Sequence, residues 1–156
     1  MELLTIGTIH SPFRESVGTP VQPSSAQPAE GKIEVFAPFT EGLRDLAGFE
    51  RVWLLFWCHR ARPARLSVVP YRDTVERGLF ATRAPARPNP IGLSAVRLRS
   101  IVGNVLHVGE LDILDGTPLL DIKPYIPLYD SFPAAARTAV ISADDRFEQE
   151  PLTPAE

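Results

Sequence analysis

Arg83, Arg87 and Asn89 bring two guanidinium groups and an amide into the stretch Phe80–Ser94, which also holds Pro85, Pro88 and Pro90. Each proline fixes one φ angle and removes one backbone donor, so the stretch can be neither helix interior nor central strand and is predicted to be a loop. Such a loop is largely shaped before anything binds, and it holds its polar groups in set directions. A planar guanidinium there suits bidentate contact with a carboxylate or phosphate. Two more rigid polar turns follow, Asp115-Gly116-Thr117-Pro118 and Asp121-Ile122-Lys123-Pro124-Tyr125. Asp115 in a tight turn can accept from a ribose or amino group, Gly116 allows close backbone approach, and Pro118 fixes the turn. His59 follows the most apolar run of the chain, so it is predicted at a strand end, where it can face a cavity.

Several common catalytic designs are missing. There is no Gly-x-Gly-x-x-Gly after a strand, no phosphate loop, no nucleophile elbow and no pair of metal-ligating histidines. The single cysteine, Cys58, lies within the apolar run and excludes a disulfide framework and a cysteine-rich zinc site. Chemistry without metal or covalent intermediate stays open. Methyl transfer from a sulfonium belongs to that class, because aligning nucleophile, methyl carbon and leaving sulfur removes much of the barrier.

A chain of 156 residues with 44% apolar content fits one soluble domain. No apolar run reaches membrane-spanning length and the N-terminus lacks a secretory pattern, so a cytoplasmic protein is expected. The net charge of −3 hides an asymmetry: Arg60 to Arg99 holds nine arginines against two acids, +7, which leaves −10 for the rest. About half of these arginines are expected to be solvated strand or loop positions. The others form a basic face on an acidic body, which suits a selective RNA or nucleotide partner.

These side chains need strands to position them. Strands are predicted over Leu3–His10, Lys32–Ala37, Val52–Cys58, Arg65–Tyr71, Ser94–Ile101, Val105–Leu111 and Leu119–Ile122, with Gly103-Asn104 as a two-residue hairpin turn. Val52–Cys58 is apolar on both faces and reads as a strand buried at the centre of a sheet or barrel. Thr40 is predicted to cap a short helix that Gly48 ends, and a second short helix is expected around Ala134–Val140. The long loop from Arg14 to Glu30 presents Gln22, between Pro20 and Pro23, as a contact. The fold class is mainly β, a small antiparallel barrel or sandwich with one or two short helices. One domain over residues 1–140 and an acidic tail over 141–156 complete the organisation.

Six ordered motifs then form a family pattern: Ile6-Gly7-Thr8-Ile9-His10-Ser11-Pro12-Phe13, Pro20-Val21-Gln22, Leu46-Ala47-Gly48-Phe49 with Val52–Phe56, Phe80-Ala81-Thr82-Arg83 with Arg87–Ser94, Leu114–Pro118, and Asp121–Tyr125. The chain resembles the TsaA-like (TrmO, YaeB-like) family across about Leu3 to Asp130. The resemblance implies a small antiparallel β-barrel that binds S-adenosylmethionine without a Rossmann sheet, as a homodimer. It also implies N6-methylation of threonylcarbamoyladenosine beside the tRNA anticodon. The cofactor is expected among Gln22, Pro23, Cys58, His59, Arg83, Leu93, Ile113, Leu114, Asp115, Gly116, Thr117 and Pro118. Arg83 is expected to hold its carboxylate, while Arg87, Asn89, Lys123 and Tyr125 face the RNA of the anticodon loop. His59, Asp115 and Tyr125 are the candidates for general base. Ala84 and Ala86 stand where members more often carry Ser and an aromatic or His, and longer bacterial members have a further C-terminal domain suited to gripping tRNA. Two alternatives stay open, a non-catalytic S-adenosylmethionine-binding module and a methyltransferase for a small molecule.

Overall fold

A computed structural model describes residues 2–15, 29–70 and 74–132. Among the described residues eight strands run in chain order: β1 (Gly7–His10), β2 (Glu30–Val35), β3 (Arg51–Trp57), β4 (Ser67–Val68), β5 (Arg77–Gly78), β6 (Ile91–Val102), β7 (Val105–Gly109) and β8 (Thr117–Pro124). Helix α1 (Pro127–Asp130) follows. Six of the strands close an antiparallel barrel in the order β1-β2-β7-β6-β3-β8, and β4 pairs with β5 as a small separate ribbon. Closure leaves no free edge among those six.

Alternation along each strand fills the barrel. Ile9, Ile33, Val35, Val52, Leu54, Val96, Leu98, Leu106, Val108 and Leu119 meet inside it, and Leu43, Leu111 and Ile113 join the same cluster. The Gly103-Asn104 hairpin turn forms as expected, with Gly103 at φ 61° and Val102 paired with Val105. Asn104 fastens it to β2, donating from Nδ2 to the Val35 carbonyl at 2.9 Å.

Four expectations change. Only Val52 and Leu54 of the apolar run are fully buried, whereas Trp53, Leu55 and Trp57 lie on the outer wall and are half-buried. A closed single-layer barrel covers only the inner face of its strands, so an apolar outer face is left to other partners. The predicted loop Phe80–Ser94 ends at Pro90: β6 starts at Ile91, because the Pro90 carbonyl can still accept, here from the Cys58 amide at 2.7 Å. The strand expected over Arg65–Tyr71 shrinks to Ser67–Val68, and Tyr71 lies outside the described residues. The helix expected after Thr40 is two 3-10 turns, Ala37–Leu43 and Leu46–Gly48, separated by Asp45 at φ 68°. The Thr40 hydroxyl turns back to donate to the Phe36 carbonyl, so it satisfies no amide of a helix start. The helix expected at Ala134–Val140 and the tail 141–156 lie outside the described residues.

Candidate active site at one mouth of the barrel

Antiparallel order sends the ends of β1, β3 and β7 and the starts of β2, β6 and β8 to one rim of the barrel. Loops far apart in sequence therefore meet there: residues 11–15, the exit of β3 at Cys58-His59, the proline loop before β6, and the turn from Glu110 to Gly116.

The turn at Asp115 is tied to the exit of β1. Ser11 donates from its hydroxyl to the Ile113 carbonyl at 2.6 Å and from its amide to Asp115 Oδ1 at 3.0 Å. The Asp115 amide donates to Phe13 O at 2.7 Å and the Gly116 amide to Ile9 O at 2.8 Å. Gly116 sits at φ 75°, in the left-handed region a side chain rarely adopts. Asp115 thus uses one carboxylate oxygen on backbone and has His10 Nδ1 3.9 Å away.

His59 stands beside this turn. Its Nδ1 is 3.4 Å from the Thr117 hydroxyl, which itself donates to Leu114 O at 2.7 Å. Desolvation first, and the Arg60 charge second, hold the His59 imidazole below 6.5 against the opposing effect of a hydrogen bond that the ring donates to the Trp57 backbone. It is therefore mainly neutral at pH 7.

A group absent from the sequence reading is the most perturbed acid of the mouth. Asp112 is pushed up from 3.8 to about 6 by burial, against a hydrogen bond from buried Ser94, its own backbone amide and the charge of Arg83. Its Oδ1 is buried with no hydrogen-bond partner among the described residues. The same carboxylate raises the Cys58 thiol, though burial of the thiol is the larger cause. No local signal marks it: a polar residue between apolar Leu111 and Ile113 reads as facing outward, away from them.

The proline loop organises itself around one arginine. Arg87 Nη1 donates to the carbonyls of Thr82 at 2.8 Å, Ala84 at 3.3 Å and Leu79 at 3.4 Å. Its guanidinium lies over the Phe80 ring at 5.6 Å. Arg83 and Asn89 are exposed on the same loop.

The structure brings together Cys58, His59, Arg83, Arg87, Asn89 and the turn Ile113–Pro118. It separates others. Leu93 shares the strand end but points to the outer wall, 54% exposed, next to inward-facing Ser94. Lys123 and Tyr125 lie at the opposite end of β8, roughly 25 Å away at about 3.3 Å per residue. There Lys123 pairs with Asp121 at 2.8 Å and Tyr125 packs on Trp53 with ring centroids 5.4 Å apart. Within one subunit these two cannot reach the mouth. Gln22 and Pro23 lie outside the described residues.

Fold and mouth define the class: a small closed antiparallel barrel whose polar loops gather at one rim around a buried, half-satisfied carboxylate. The model of the tRNA-methyltransferase O N-terminal domain matches residues 8–131, and the chain belongs to that family. It is 54% identical over 125 residues to a Pyrococcus abyssi protein named "Probable S-adenosyl-L-methionine-binding protein", covering 80% of this chain and 68% of that one. It is 38% identical over 153 residues to the tRNA (adenine(37)-N6)-methyltransferase of Escherichia coli, covering 88% of this chain and 63% of the relative. The crystal structure of TrmO from Pseudomonas aeruginosa superposes with a TM-score of 0.75 at 42% identity, over 87% of this chain and 60% of that chain. The chain thus spans under two thirds of both of these longer relatives.

Proposed function

We propose that this chain is an S-adenosylmethionine-dependent methyltransferase acting on N6 of threonylcarbamoyladenosine beside the tRNA anticodon. The observation that carries this reading is the convergence of Cys58, His59, Arg83, Asp112 and Thr117 at one barrel mouth, in a member of a tRNA methyltransferase family.

The residues fit the cofactor. Asp112 Oδ1 is a buried acceptor lacking a donor, and the methionine part of S-adenosylmethionine carries an ammonium that can supply one. Arg83 offers a guanidinium to the carboxylate at the other side of the same amino acid group. The turn Ile113–Pro118, with Gly116 at φ 75°, provides backbone that a nucleoside can approach closely. Bound at this mouth, the cofactor supplies an electrophilic methyl group on a sulfonium. Transfer of that methyl to N6 would break its bond to sulfur, leave a neutral thioether and release one proton from N6. His59 is the acceptor of choice, because burial and Arg60 keep its ring neutral and Thr117 fixes the Nδ1 side. Asp115 serves the turn through its bond from Ser11. Arg87 shapes the loop from which Arg83 and Asn89 reach substrate.

A homodimer completes the reading. Trp53, Leu55 and Trp57 of β3 pair with Ala95, Leu93 and Ile91 of β6, forming a continuous apolar band on the outside of the barrel. An apolar band of this kind on an outer wall favours a second copy across a two-fold axis. An axis through Leu55 would set the partner's Lys123 and Tyr125 beside the Trp57 end, and so near the mouth. The place of action is the cytoplasm, where tRNA is modified.

Incubation with methyl-labelled S-adenosylmethionine and tRNA, with and without the threonylcarbamoyl group, tests the reading. Labelled N6-methyl product only with the modified tRNA is expected. Cofactor binding without transfer to any RNA would replace the reading with a non-catalytic binding module, and transfer without RNA would replace it with a small-molecule methyltransferase.

A further inference from the structure

Next to the apolar band, β2, β7 and the far part of β6 form an open groove of about 410 Å³ lined by Glu30, Gly31, Lys32, Arg99, His107 and Val108. Strand register explains its composition. His10 pairs with Lys32, Lys32 with His107, and His107 with Ser100, so one row across three strand pairs carries three basic side chains. The register of β6 against β7 then slips between Leu98 and Ser100. A bulge of this kind re-aims a side chain, and here it adds Arg99 to the row. The Arg99 guanidinium lies over Gly109, where a Cβ would come within 3.0 Å of its Nε. The missing side chain is what gives the guanidinium its place along the groove.

Among the described residues, neither Lys32 nor Arg99 has a side-chain hydrogen bond or ion pair. They share this with Arg14, Arg44, Arg62 and Arg65 among the described residues, but they are the two that stand together in one groove; by contrast Arg51 and Arg97 share Glu110, Lys123 holds Asp121 and Arg87 is spent on carbonyls. Of the two acids nearby, Glu34 is engaged by His10 Nε2 at 3.2 Å, and Glu30 stands in the groove itself. The row is also continuous with the candidate site, because His10 at its end lies 3.9 Å from Asp115.

We propose that this groove, with Lys32, Arg99 and His107 as its donors, seats the phosphodiester backbone of the tRNA substrate while the target base reaches the mouth past His10. The inference rests on the tRNA reading above and adds a contact surface to it. Phosphate contacts from such a row fix register and orientation without reading sequence. They make a basic surface on an otherwise acidic chain selective by position. Lys32 and His107 lie on β2 and β7, off the two strands that carry the apolar band, while Arg99 shares β6 with it.

The test uses the full chain and fluorescently labelled tRNA carrying threonylcarbamoyladenosine. Anisotropy titrations between about 50 and 200 mM salt are run on wild type, on Lys32→Ala/Arg99→Ala and on Lys32→Gln/Arg99→Gln. Calorimetry with S-adenosylmethionine runs in parallel and reports on fold and mouth. Both double variants are expected to bind tRNA at least about tenfold more weakly and to lose about 1 per removed charge from the slope of log K against log salt. Cofactor affinity stays at the wild-type value. If wild type binds and methylates tRNA and both variants bind it with unchanged affinity and slope, the groove assignment falls and the function stands. If wild type binds no tRNA at all while still binding S-adenosylmethionine, groove and tRNA function fall together.

Discussion

Replacing Asp112 by Asn separates what this carboxylate does for the fold from what it does for the ligand. Burial raises its pKa from 3.8 to about 6, so the folded state prefers the protonated acid. A raised folded pKa contributes stability that is fully present below pH 3.8 and is lost as pH rises through about 6. At about 1.36 kcal/mol per pH unit, the gap between the two values makes the ionised form cost about 3 kcal/mol at pH 7. Asn keeps the shape, never ionises and escapes that cost. For a chain of this size about 1 kcal/mol corresponds to roughly 2–4 °C, so the variant should melt about 6–12 °C above wild type at pH 7. Near pH 4 the advantage should vanish. Thermal unfolding of both proteins by circular dichroism, in steps from about pH 4 to 7.5, measures this directly. The same variant should bind S-adenosylmethionine about tenfold or more weakly, because its amide offers a neutral acceptor where the ammonium needs a carboxylate. A stability difference independent of pH, or one that shrinks as pH rises, would refute the burial argument. Unchanged cofactor affinity would remove Asp112 from the ligand site. A gain in stability with a loss of binding is the signature of a charge kept buried for use.

Arg83→Ala should lower S-adenosylmethionine affinity about 10- to 100-fold by calorimetry with the melting temperature unchanged, and equal affinity would exclude the guanidinium from the site. His59→Gln should reduce the methyl-transfer kcat by about 100-fold with cofactor affinity intact. In wild type the rate should fall on acidification as His59 protonates below 6.5, and Arg60→Ala should move that limb to higher pH by removing a repelling charge. Glu110→Ala removes the shared partner of Arg51, 2.6 Å away, and of Arg97, 3.4 Å away. It should cost about 2–3 kcal/mol in urea unfolding, less than the ~3–5 of a fully buried pair because both arginines keep water contact. For the proposed dimer, sedimentation is expected to give a dimeric wild type and a folded, monomeric Leu55→Arg; a monomeric wild type would overturn the dimer, and a variant still dimeric would place its interface elsewhere.

Local sequence determined much of the barrel. Alternation of Ile33 with Val35 and of Val96 with Leu98 and the Gly103-Asn104 turn are encoded within a few residues, because pleat period and φ freedom act at that range. The rigid polar turns were equally legible, and the motifs in them carried the family. What sequence alone could not decide is which end of the barrel each turn reaches. Asp115 and Tyr125 lie ten residues apart in similar proline-bounded turns, yet β8 runs between them and carries them to opposite rims. Asp112 was invisible for a related reason. Its raised pKa and its orphaned Oδ1 come from burial by the walls of the mouth, against the opposing pull of Ser94 and Arg83, and strand order alone brings these groups to it. The row His10, Lys32, His107 spans three strands from distant parts of the chain and exists only through their register. Proximity across hydrogen-bonded strands is a property of closure, and closure follows from burying every inner face at once.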